Sequence, residues 1–143
     1  MTTITRSTPQ SRLSSSGRTV LLVAGAIVAV CVNWGLASIA LAGGAKADFS
    51  PLAIYVFAPF TVIMFVLAHL GWRMVRSRTA RPAAVLKVLV PVLTVLSFIP
   101  DSILLATGFI PGTTLIAVVA LATMHLVVVA TAVLVSQRVA PVR

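Results

Sequence analysis

The chain has 143 residues, of which 59% are hydrophobic and only 9% charged, with a mean hydropathy of +1.13 and a formal net charge of +9. A water-soluble surface takes about 25% charged residues. So small a share excludes a soluble globular domain and points to lipid as the solvent.

Residues 1–18 are rich in Ser and Thr, carry Arg6, Arg12 and Arg18, and read as a disordered basic tail. Four long apolar runs follow. Crossing the hydrocarbon takes about 20 residues at roughly 1.5 Å of rise each, and every backbone polar group must be satisfied within the span, so the runs are predicted to be helices. They lie at about 19–42, 51–72, 83–106 and 113–136, within a transmembrane domain of residues 19–138, and residues 139–143 form a short tail. The fold class is therefore all-α, a polytopic four-helix bundle.

The first run, "TVLLVAGAIVAVCVNWGLASIALA", is uncharged. Its "ALAGG" end resembles a signal-peptidase site, but the apolar run and the polar tail before it are too long for a signal peptide. Ala26, Ala29, Asn33, Ala37, Ala40 and Gly44 share one face, a small-residue stripe suited to close helix packing. The lone Cys31 allows neither a disulfide nor a Cys-based zinc site, and reads as a small buried side chain. In the second run Pro59 removes a backbone bond to Tyr55 and predicts a kink. His69, beside Trp72 and Arg73, reads as interfacial.

The third run carries a stripe of Lys87, Pro91, Thr94, Ser97 and Asp101, which at 100° per residue lie within about a third of the circumference. Lys87 reaches back to the headgroups. Asp101 falls roughly 27 Å along this helix, near the outer boundary, where it bonds backbone donors, pairs with Lys46, or guards a cavity mouth. In the fourth run His125 shares a face with Thr114, Val118, Leu121, Val129, Ala132 and Ser136. An imidazole at that depth needs a hydrogen-bond partner, and Asn33 lies at a comparable depth. Asn33, Thr94, Ser97, Asp101 and His125 are accordingly the candidate ligand-binding residues.

Short loops rich in Arg and Lys stay cytoplasmic. Arg73, Arg76, Arg78 and Arg81 lie in one connection and Arg138 and Arg143 at the end, whereas "GGAKADFS" holds one base, Lys46. Both termini are expected inside a cell membrane, with the Arg cluster and Lys87 against anionic headgroups. No aromatic residues interleave with these bases, so nucleic acid is not an expected partner. His69 and His125 lie at depths of roughly 5 and 16 Å from the inner face, too different for one haem iron, and neither a cofactor nor a metal is expected. "AHL" at 68–70 and "MHL" at 124–126 hint only weakly at a duplicated helix pair.

Taken with the Arg-bearing tail, the segments "VNWGL", "FSPL", "SFIPD" and "MHLVVV" make the chain resemble small actinobacterial four-span membrane proteins catalogued as a domain of unknown function, over about Thr19 to Arg138. The resemblance implies the four-span fold and brings no activity. The preferred reading is a small bundle acting through packing with a membrane-protein partner, a second copy of itself, or lipid. The alternatives are a carrier or small-molecule-binding protein with a polar pocket near Asn33, Thr94, Asp101 and His125, and, behind it, an intramembrane enzyme.

Overall fold

In the computed structural model, which describes residues 14–142, Ser14 caps the first helix by accepting a hydrogen bond from the Gly17 amide at 3.1 Å. This places the start of α1 at Ser15, so residues 15–18 are helical and not part of a tail. The rest of the basic tail, with Arg6 and Arg12, lies outside the described residues, as does Arg143. The elements are α1 (Ser15–Ala42), a 3-10 turn (Ser50–Leu52), α2 (Ile54–Arg78), α3 (Pro82–Ser97), α4 (Ile99–Thr107) and α5 (Leu115–Val139). There is no strand among the described residues.

Four stretches are long and apolar enough to cross a membrane: α1, α2, the pair α3–α4, and α5. Their outer faces carry Val20, Ile27, Trp34, Ile39, Tyr55, Phe60, Val95 and Leu134, all exposed. In water this surface would be untenable, whereas hydrocarbon accepts it without cost. α2 and α5 end on Arg76, Arg78 and Arg138, which complement the negative ends of their helix dipoles. The alternation of spans brings these residues to the same end of the bundle as Arg18 and Arg81.

The core is built on small residues. Gly25, Ala29, Asn33, Ala37 and Ala40 are the buried positions of α1, and α5 answers with Ala117, Ala120 and Ala132. α1 packs most extensively on α5, then on α2. The stripe expected from the sequence thus faces inward, with Gly25 rather than Ala26 at its inner end and Gly44 exposed beyond the helix. Cys31 lies on the opposite side and is exposed, a correction to the buried position assigned to it. α2 contributes the row Phe57, Thr61, Phe65, His69 and Trp72, and Trp72 Nε1 donates to the Ala140 carbonyl at 2.9 Å, tying the ends of α2 and α5 together.

The third span runs over Pro82–Thr107 as predicted, with one interruption. α2 continues through Pro59 and α3 through Pro91, but the chain breaks at Phe98, whose φ of −84° and ψ of −9° separate α3 from α4. Pro100 has no N–H to give to the carbonyl four residues back, so the ladder is interrupted there. The break gives α4 its own N-terminus, with Asp101 in its first turn. α3 itself is loosely held, since Leu86 is its one buried residue.

Candidate functional site

The polar side chains inside the bundle form three separate pairs. Asn33 Nδ2 donates to Thr61 Oγ1 at 2.9 Å, joining α1 to α2. His69 Nδ1 lies 2.9 Å from Ser136 Oγ, joining α2 to α5. His125 Nδ1 lies 3.0 Å from Asp101 Oδ2, joining α5 to α4. The last contact lies within ion-pair distance, so the two groups serve as each other's partner.

These pairings correct several expectations. Asn33 and His125 do not bond each other, because Thr61 takes the amide and Asp101 approaches the imidazole. Asp101 pairs with His125 and not with Lys46. His125 lies ten residues past Leu115, roughly 15 Å along α5, and Asp101, six residues before the end of its own span, reaches it from the neighbouring helix. His69 is buried against α5 and bonded to Ser136. Thr94 Oγ1 donates to the Val90 carbonyl at 2.8 Å and Ser97 Oγ to the Thr94 carbonyl at 2.7 Å, so both serve their own helix. Lys87 and Pro91, the inner members of the predicted stripe, are exposed.

A groove of about 650 Å³ runs beside these pairs, between α2, α3, α4 and α5, with Asn33 of α1 in its wall. That volume lies within the 300–1,000 Å³ range of small-molecule sites. Its lining is mostly apolar and extends along α2 from Val56 to Trp72, sixteen residues or roughly 24 Å. Phe60, Met64, Leu67 and Leu93 line it and are exposed, so the groove opens sideways, toward lipid. Its polar members are Asn33, Thr61, Ser97, Asp101, His125 and Ser136. Of the candidate residues, four therefore reach the groove and Thr94 does not.

Among the described residues Asn33 Oδ1 is buried with no polar partner at all, whereas Asp101 Oδ2 and His125 Nδ1 face each other at 3.0 Å. All three residues line the groove. Asn33 is only 1% exposed, and leaving such a group unpaired costs about 1–3 kcal/mol. A bound molecule that supplies the missing partner would recover that cost.

Thr61 and Ser136 are the partners that sequence reasoning did not single out. Ser136 lies on the His125 face, and Thr61 lies four residues from Phe57 and from Phe65. That spacing places both residues on inward faces but does not pair them across helices. Among the described residues there is no cluster of three or more His, Cys, Asp or Glu able to hold a metal. The two histidines lie at different levels, since His69 pairs with Ser136, eleven residues beyond His125 on α5 and roughly 16 Å further along it. Comparison with protein-family models, with curated proteins and with solved structures found no match.

Proposed function

We propose that this is a multi-pass protein of the cell membrane, with both termini cytoplasmic, that binds or carries an apolar small molecule or lipid in the groove between α2 and α3. The observation that carries the binding reading is the unpartnered Asn33 Oδ1, buried in the wall of a groove open to the bilayer. A side chain that served packing alone would have both ends of its amide satisfied. The packing reading loses its main support because the small-residue stripe of α1 is already covered by α5 of the same chain. The topology rests on the Arg residues gathered at one end of the bundle and on the positive-inside tendency of short loops.

The binding reading is tested by filling the groove. Ala68 lines it, is exposed, and belongs to none of the polar pairs. Ala68→Trp should abolish retention of the apolar molecule that native mass spectrometry detects on protein extracted from its own membrane, with helicity and melting unchanged. A wild type that carries nothing, or a variant that carries as much, would overturn the reading.

For the topology, a single cysteine at Arg78 in a Cys31→Ala background should be shielded from a membrane-impermeant thiol reagent applied to whole cells. One at Lys46 should be labelled. The opposite pattern refutes the proposed orientation.

A further inference from the structure

The buried polar atoms that face the groove differ in kind. Asn33 has spent its donor on Thr61 and keeps its carbonyl oxygen free. Asp101 faces the groove as well, with one carboxylate oxygen, Oδ2, 3.0 Å from His125 Nδ1. No Lys or Arg lines the groove, and Asp101 is its one acidic residue. A ligand entering here meets a free acceptor and a carboxylate of low solvent access. An anionic head would be repelled by Asp101 and would find no Arg or Lys to replace its hydration.

From this geometry we infer that the occupant is a hydrophobic amine, an apolar body ending in a hydrogen-bond-donating, positively charged nitrogen that seats against Asp101 and Asn33. The inference rests on the reading that the groove holds an apolar molecule, and it adds the chemistry of the head. His125 Nδ1 engages only Oδ2 of Asp101, and its side chain is 39% exposed, so an ammonium can take the other carboxylate oxygen or displace the imidazole. Charge-assisted bonds of this kind are the stronger class.

The body of the ligand has a defined direction. α2 and α5 run the same way, and His69 opposite Ser136 sets their register. Counting back eleven residues on each puts His125 level with Ala58, near the Val56 end of the groove. The head therefore lies at that end, beside Pro100 and Asp101. The tail extends along α2 toward Leu86 and Trp72.

The test uses the full chain in nanodiscs of zwitterionic lipid, offered hexadecylamine, hexadecanol or hexadecanoate at equal concentration, with retention read by native mass spectrometry. Wild type should retain the amine about tenfold over the alcohol and the carboxylate, the discrimination expected of a bond to a charged partner. Asp101→Asn should lose about tenfold in amine retention and leave the alcohol unchanged. Should that variant not fold, the wild-type ranking of the three probes decides alone. Equal retention of all three, or an amine indifferent to a folded Asp101→Asn, overturns the head-group inference while the groove reading stands. Retention of none, or retention unchanged by Ala68→Trp, overturns the groove reading itself.

Discussion

Gly25→Leu lowers the stability of the bundle by about 3 kcal/mol, the cost of forcing side-chain volume into a closed packing site. A Cβ at Gly25 would lie 2.6 Å from Val135 Cγ2 and 3.0 Å from Phe65 Cζ. Phe65 is 1% exposed and cannot swing away, so α1 must move off α5 and α2. Gly35→Leu supplies the control, because a Cβ there meets nothing within 4 Å. Both substitutions add the same apolar side chain, and lipid offers no hydrophobic driving force to separate them. Thermal or SDS-induced unfolding followed by circular dichroism should show a large loss for Gly25→Leu and little change for Gly35→Leu. Equal behaviour of the two would show that the α1–α5 seam is not tightly closed.

Gly112→Val should cost about 2–3 kcal/mol and loosen the end of the bundle where the two longer connections meet. Gly112 has a φ of +77°, a region β-branched residues avoid. A Cβ there would also overlap Asp48 Oδ1 and come within 2.9 Å of the Phe49 backbone nitrogen. The Asp48 side chain is exposed and can rotate; the Phe49 backbone cannot, because its ring is anchored in the core with Leu52, Phe57 and Leu104. Limited proteolysis of the protein in detergent should detect new cleavage around residues 43–53 in Gly112→Val. A cleavage pattern identical to that of the wild type would contradict the close approach.

Much of the architecture was legible because lipid simplifies the code. The four spans followed from run length and backbone satisfaction, and the α1 stripe from residue size at helical spacing. The break at Phe98 was harder to read. Pro59 and Pro91 are also prolines inside apolar runs, yet their helices continue, and only at Pro100 does the chain divide the span. Local sequence cannot rank the three, since each proline removes the same backbone donor.

Partner choice was the other gap. Matched depth paired Asn33 with His125, but depth is one coordinate of three. Rotation about each helix axis decided for Thr61 and Asp101. Cys31 was misplaced by a habit from water-soluble proteins, in which small thiols are buried; on a lipid-facing side a thiol meets no penalty.

The close seam between α1 and α5 has a consequence for the order of assembly. In synthesis α1 must wait for α5 before its principal contact exists. During synthesis Ala29, Asn33 and Ala37 can gain only the smaller interface with α2, and the intervening spans insert without a finished core. Closure of so sequence-distant a contact is slow by nature, and a chain stalled before α5 would leave the Ala29 and Ala37 face of α1 uncovered, a surface that stray helices can engage.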